Sequence, residues 1–170
     1  MAITKIEDGK MKLQLSAELI DEVIEEALHH VNRKSTEHKI TVKSSEEFIL
    51  AKMDAKLIVQ VIINIVDNAI KYTPVNSEIT IHTEKQDQTV IVAIADNGEG
   101  ISDDVKKHVF DMFYSGTNKI SDSRRSLGLG LSLCKSIINA HGGEISVTDN
   151  KPHGSVFRFT LPAQEVNFNE

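Results

Sequence analysis

The stretch "ADNGEGI", residues 95–101, sets the terms for reading the rest of the chain. Its glycines, Gly98 and Gly100, have the spacing of loops whose backbone N–H groups approach a ligand, commonly a phosphate. Yet the same stretch carries Asp96 and Glu99, and carboxylates repel phosphates. Asn97-Gly98 also fits an ordinary turn after a strand. The loop alone leaves both readings open, and its neighbours in the chain must discriminate.

Upstream lies "AKLIVQVIINIVDNAIKY", residues 55–72, with Asp54 placed to cap it and Pro74 following. On a 3.6-residue period Gln60, Asn64, Asn68 and Lys71 share one narrow stripe, and the rest of the surface is nearly all apolar. Amide oxygens suit a hard cation such as Mg2+, and Lys71 suits a phosphate. The competing reading has both asparagines satisfied by neighbouring backbone, as most buried polar groups are. Downstream, "LGLGLSLCKSI" places Gly128 and Gly130 at the expected start of a helix, where free N–H groups and the dipole favour an anion. A glycine-rich hinge accounts for the pair equally well. The P-loop pattern and the strand-linked G-x-G-x-x-G pattern are both absent.

Around these sites the elements alternate. Residues 11–15 ("MKLQL") predict a strand, and Ser16 an N-cap for a helix through Val31. "KITV" and "FILA" predict short strands; "SEITIHTEK" and "QTVIVAIAD" predict a hairpin joined at Gln86-Asp87. Ser102 caps a short helix through Lys107. Residues 115–127, rich in Ser, Asn, Gly and Arg, read as a loop of functional length. A helix follows, ended by Gly142-Gly143, then a closing hairpin of "EISVTD" and "SVFRFTLP". This pattern predicts an α/β two-layer sandwich with a mixed, mostly antiparallel sheet of about five strands on three helices.

Composition sets limits. The 170 residues suffice for one cored domain, 40% hydrophobic and 26% charged. A net charge of −6 without a basic block argues against a nucleic-acid surface. The single cysteine, Cys134, excludes an internal disulfide and fits a reducing compartment. The first ten residues lack the apolar run of a signal peptide, and the longest apolar run, residues 57–66, is too short to span a bilayer.

The order of the three sites is more specific than any one of them. It resembles the ATP-binding catalytic domain of histidine protein kinases, within the superfamily shared with type II topoisomerases, ninety-kilodalton heat-shock chaperones and mismatch-repair ATPases. "NIVDNAIKYTP" resembles the N box, "DNGEGI" the first glycine box, "FDMFY" the F box and "LGLGL" the second glycine box. "HGG" with "GSVFRFTLP" is similar to the closing strands. "NKISDSRRSLGLGLSLCKSI", residues 118–137, also resembles the Kdp potassium-transport sensor kinases. The likeness implies the Bergerat-type fold with an ATP lid over residues 11–162, a remnant of the acceptor-bearing helical hairpin or its linker at residues 1–10, and a tail at 163–170.

The same resemblance implies that Asp96 accepts a hydrogen bond from the exocyclic amino group of adenine. That separates it from the phosphates, which lie toward Asn68, Lys71 and Gly128. Asn68 is the implied Mg2+ ligand, and Tyr72 is implied beside the base or ribose. Gly98, Gly100, Ile101, Phe113, Leu127, Gly128, Leu129, Gly130 and Leu131 complete the ATP pocket, with Arg124 and Arg125 as candidates for the γ-phosphate and solvated loop charge as their alternative. ATPase relatives carry a glutamate where this chain has Asn64, and an amide cannot take a proton from water. Phosphoryl transfer to a histidine of a separate helical domain, in a homodimeric cytoplasmic kinase feeding a response regulator, is therefore expected over hydrolysis. None of the seven histidines stands in the acceptor context. His141 is expected at a helix C-terminus, where a basic ring is favoured. Ser126 departs from the usual Gly-x-Gly-x-Gly-Leu and should stiffen the lid at that point. The alternatives are an ATPase or switch-type serine kinase of the same superfamily, and a non-catalytic nucleotide-binding or docking module.

Overall fold

The computed structural model describes residues 6–7, 10–31, 38–44, 48–111 and 122–164. In chain order the elements are β1 (Ile6–Glu7), β2 (Lys10–Met11), β3 (Ser16–Leu19), α1 (Ile20–His30), β4 (Lys39–Ser44), β5 (Leu50–Met53), α2 (Ala55–Tyr72), β6 (Glu78–Gln86), β7 (Thr89–Asp96), α3 (Asp103–Lys106), α4 (Asp122–Ala140), β8 (Ile145–Asp149) and β9 (Ser155–Pro162). A five-stranded sheet in the order β4-β6-β7-β9-β8 forms one layer. Only β4 and β6 run parallel, because α2 intervenes between them; the other neighbours are antiparallel. The expected α/β two-layer sandwich with a mixed sheet is what the chain forms.

Helix α2 lies in the middle of the second layer, flanked by α1 and α4. Ile58, Val61, Ile62, Ile65 and Val66 are completely buried there. Each such side chain contributes about 1.5–3 kcal/mol of burial. The sheet answers with residues of period two: Ile79 and Ile81 of β6, Val90, Val92 and Ile94 of β7, and Phe157, Phe159 and Leu161 of β9. Asp96 is the next member of the β7 row, so its side chain falls on the helix side of the sheet.

Several local expectations shift. Residues 16–19 pair with β5 as a strand, so α1 starts at Ile20 and Ser16 is not its cap. Residues 12–15 carry no strand, and β5 begins two residues later than "FILA" suggests. Asp54 stands at the N-cap position of α2, but its Oδ2 accepts from the Gln14 N–H instead of capping. The β6–β7 turn falls on residues 87–88, with Asp87 at φ +54°, one residue beyond the expected position. Ser102 does cap α3, its Oγ accepting from the Val105 N–H at 3.2 Å. The bonded structure also runs past 162: the Gln164 N–H donates to the Leu50 carbonyl.

The largest departure concerns α4. Residues 122–127, expected within a loop, are helical, and 115–121 lie outside the described residues. Gly128 and Gly130 therefore sit inside the helix and not at its N-terminus, so their N–H groups belong to the helical ladder rather than the free first turn. At the other end His141 is buried. Its Nδ1 donates to the Ile137 carbonyl at 2.7 Å, and its Nε2 accepts from the Asp54 N–H at 3.0 Å. The ring is thus a neutral strut between the end of α4 and the start of α2, not a charge offered to the dipole. Among the described residues no helix is long and apolar enough to cross a membrane.

This strut is testable. His141→Phe keeps the bulk but leaves the Asp54 N–H unpaired, and should destabilise the domain by roughly 1–3 kcal/mol. His141→Gln, which restores an acceptor, should recover part of the loss in denaturant unfolding.

Candidate functional site

The carboxylate of Asp96 ends β7 and is 7% exposed. Its Oδ1 accepts from two backbone donors, Gly98 N–H at 3.0 Å and Ser155 N–H at 3.3 Å. Among the described residues nothing donates to Oδ2. The β7–β9 ladder, in which Ala95 faces Val156, brings Ser155 beside Asp96. Gly98 is required for close approach: a Cβ there would stand 2.6 Å from Thr73 Cγ2. Gly100 adopts φ +87°, a region side-chain-bearing residues avoid.

Thr73 follows the last residue of α2, so the loop at 96–98 touches the end of that helix. Thr73 Oγ1 donates to the Ala69 carbonyl at 2.7 Å, fixing its methyl against Gly98. Nearer the middle of α2, Asn64 faces α4. Its Nδ2 donates to the Gly130 carbonyl at 3.4 Å, and its Oδ1 accepts from Gln60 Nε2 at 3.0 Å. A Cβ on Gly130 would lie 3.6 Å from the Asn64 amide, an ordinary contact distance, so Gly130 faces Asn64 directly across the two helices. The span from Asn64 to Thr73 is about 13 Å along the helix axis.

Asn68 lies between these ends on the same stripe. It is 7% exposed, and its Oδ1 is buried without a hydrogen-bond partner among the described residues. The two asparagines therefore separate: Asn64 is satisfied by its neighbours, whereas Asn68 keeps an unused acceptor. Such an orphaned oxygen destabilises the fold unless something meets it. A neutral amide oxygen left without a donor has the chemistry of a ligand to a hard divalent cation. Lys71, one turn on, is exposed.

The remaining expected residues divide. Ile101 packs partly buried against the core, and Leu131 is a core residue, 4% exposed, which removes it from a ligand surface. Gly128, Leu129, Leu127, Arg124 and Arg125 lie on α4, but side-chain positions there and at Tyr72 fall outside the description. Phe113 lies outside the described residues altogether; its neighbour in the F box, Phe110, meets Phe157 edge to face at 6.1 Å. Cys134 is buried among Leu131, Ile137 and Ile138 as expected. Burial pushes its thiol up to about 12, so it is no nucleophile.

Asn150 and His153 fall in no box the sequence singled out, and Thr73 and Ser155, though within the quoted N box and closing strand, were given no role there. The turn at 150–154 lies over the Asp96 loop. A Cβ on Gly154 would stand 1.9 Å from the Asp96 carbonyl oxygen, and Gly154 has φ +113°. Lys106 of α3 ties this turn down by pairing with Asp149 at 2.6 Å and Asp103 at 3.0 Å. Hydrogen bonds to Asp149 and then Asp103 hold the Lys106 ammonium above the ordinary lysine range. The Lys106 hydrogen bond likewise lowers the Asp103 carboxyl.

A buried acceptor beside a glycine turn thus lies near one end of an amide-striped helix, with a glycine segment facing that helix further along. Residues 53–165 match the family described as Histidine kinase-, DNA gyrase B-, and HSP90-like ATPase. The chain belongs to that family. Sensor protein KdpD of Clostridium acetobutylicum is 42% identical over 164 residues, which is 96% of this chain and 18% of that protein. The chain thus spans less than a fifth of that relative's length. The catalytic domain of histidine kinase ThkA superposes with a TM-score of 0.77 at 29% identity, covering 88% of this chain and 97% of that one. ThkA in complex with response regulator protein TrrA superposes with a TM-score of 0.74 at 29% identity, covering 88% of this chain and 42% of that one. The chain is a catalytic domain of the sensor histidine kinase type, homologous to ATP-using kinases.

Two glycines with positive φ separate backbone strain from steric exclusion. Gly142, at φ +81° with nothing within 4 Å of a Cβ, should tolerate alanine at a cost of about 1–2 kcal/mol. Gly154→Ala adds the collision with the Asp96 carbonyl, so its loss in chemical unfolding should be clearly larger.

Proposed function

We propose that this domain binds Mg-ATP and passes the γ-phosphoryl group to a histidine on a separate helical domain of the same kinase. The observation that carries the proposal is the pair of unused oxygens. Among the described residues nothing donates to Oδ2 of the buried Asp96 carboxylate or to Oδ1 of Asn68, on the helix whose end touches that loop.

Asp96 accepts from the exocyclic amino group of adenine. Guanine would present a carbonyl there and leave two acceptors facing each other, which favours adenine. Gly98 and Gly100 give the base its approach to the backbone, and Tyr72 and Ile101 border it. Asn68, one turn before the end of α2, would hold Mg2+ through its amide oxygen, and Lys71 in the last turn would pair with a phosphate as a point charge. When bound, the ion offsets negative charge on the phosphates. Gly128, Gly130 and the arginines Arg124 and Arg125 lie on the phosphate side.

The residues here orient and neutralise; they supply no base. Asn64 is an amide already engaged with Gln60 and Gly130, which supports transfer over hydrolysis. The acceptor imidazole attacks through its own neutral nitrogen. A P–N bond forms, the bond from the γ-phosphorus to the bridging oxygen breaks, and ADP leaves. Transfer weakens as that histidine protonates at acid pH. The parent kinase acts as a homodimer, this domain is the cytoplasmic end of that membrane-bound sensor, and its phosphohistidine feeds a response regulator.

Two measurements test this. Asn68→Ala should abolish the Mg2+ dependence of ATP affinity in calorimetry; unchanged Mg-ATP binding removes Asn68 as the metal ligand. Incubated alone with labelled ATP the chain should stay unlabelled. Mixed with the helical domain of its parent it should label that domain's histidine slowly, because untethering lowers the effective concentration. Alkali-stable, acid-labile label on the isolated chain would contradict the reading.

A further inference from the structure

The loop at 96–98 sits beyond the end of the β7–β9 ladder, which pairs residues only as far as Ala95 and Val156. Its backbone groups therefore need other partners, and side chains remote in sequence supply them. Asn150 Nδ2 donates to the Asp96 carbonyl at 2.8 Å. His153 and the Gly98 carbonyl lie 2.9 Å apart through Nδ1; a carbonyl only accepts, so Nδ1 carries the proton and donates. On the opposite side Asn97 is pinned to β6, its N–H donating to the Glu78 carbonyl at 3.3 Å and its Oδ1 accepting from the Glu78 N–H at 2.8 Å.

The turn that carries Asn150 and His153 is itself closed. The Asn150 N–H donates to the Gly154 carbonyl at 2.9 Å, and Asn150 Oδ1 accepts from the Lys151 N–H at 2.9 Å. Every hydrogen-bonding group type of the Asn150 side chain is thus in use, so its orientation is set. Gly154 lies against the Asp96 carbonyl with no room for a side chain. The two carbonyls held by the turn flank the Gly98 N–H, which is one of the two donors that fix Asp96 Oδ1.

We propose that Asn150 and His153 are positioning residues for base recognition. By holding the Asp96 and Gly98 carbonyls they orient the Gly98 N–H onto Oδ1 and so aim Oδ2 of Asp96 at the nucleobase. The proposal rests on the reading that Asp96 accepts from adenine. Its consequence is specific: loss of either side chain disturbs recognition of the exocyclic amino group more than it disturbs binding of the triphosphate.

The experiment compares ATP with inosine triphosphate, which carries a carbonyl in place of that amino group. Affinities for both are measured by calorimetry on the full chain and on Asn150→Ala, His153→Ala, His153→Asn and His153→Leu, with thermal unfolding alongside. Asn and Leu have similar bulk, but only Asn places an N–H donor where Nδ1 stands. ATP affinity should fall roughly tenfold in the two alanine variants and in His153→Leu, the size expected for one mis-set hydrogen bond. Inosine triphosphate affinity should barely change, and His153→Asn should restore the discrimination. A purely structural role would lower the melting temperature and leave the ratio of the two affinities intact, which overturns the proposal. Should an alanine variant lose its fold by circular dichroism, the His153→Asn and His153→Leu pair decides: equal ratios overturn the proposal, a ratio kept only in Asn supports it. An unmodified chain that binds both nucleotides equally overturns the adenine reading and this proposal with it. A discriminating chain whose ratio survives all four substitutions overturns this proposal alone.

Discussion

A carboxylate at the end of a core-facing row is the constraint on which the site depends. The β7 pattern buries Val90, Val92 and Ile94, and period two puts Asp96 next on the same face. A buried acceptor group at that position demands donors. Two backbone N–H groups meet it, one from the following glycine turn and one from the first residue of β9. Both converge on one oxygen. The geometry that satisfies the fold thereby commits both donors to Oδ1, and among the described residues nothing donates to Oδ2.

Helix α2 links this corner to α4. Its apolar faces are committed to α1, the sheet and α4, which leaves one polar line with no freedom to turn away. Along that line each residue meets a different neighbour. Asn64 finds the Gly130 carbonyl, Asn68 finds no hydrogen-bond partner for its oxygen among the described residues, and Thr73 finds Gly98. The helix acts as a ruler: rigid spacing of 1.5 Å per residue fixes the separation between Asn64, Asn68 and Thr73. Gly98 matters for what it omits, since a Cβ there would stand 2.6 Å from Thr73 Cγ2 at the end of the ruler.

Some of the departures from sequence-based expectation share a cause. Ser16 and Asp54 have the chemistry of N-caps, but each is claimed by a pairing distant in sequence: Ser16 by Met53 across a strand ladder, Asp54 by the Gln14 N–H. The glycine segment of α4 reads locally as a helix start, because glycine weakens a helix interior. Packing against α2 overrides that preference, with Leu131, Cys134, Ile137 and Ile138 all buried in the common core. His141 reads as a favourable charge at a helix end until the Asp54 N–H, 87 residues away, requires it as an acceptor.

The sequence by itself determined the alternation of elements, the mixed sheet, the core rows and the polar stripe, because hydrophobic period is a local property of the chain. The order of the four boxes likewise pointed to the family and to Asp96, Asn68 and the glycines. Tertiary structure alone decided which asparagine is satisfied and which is not, since Asn64 and Asn68 are chemically identical and differ only in what stands opposite. It also decided that the turn at 150–154 lies over residues 96–98. No local pattern encodes that meeting: the contacts join residues more than fifty positions apart, and they exist only because the β7–β9 register brings the two turns to the same end of the sheet.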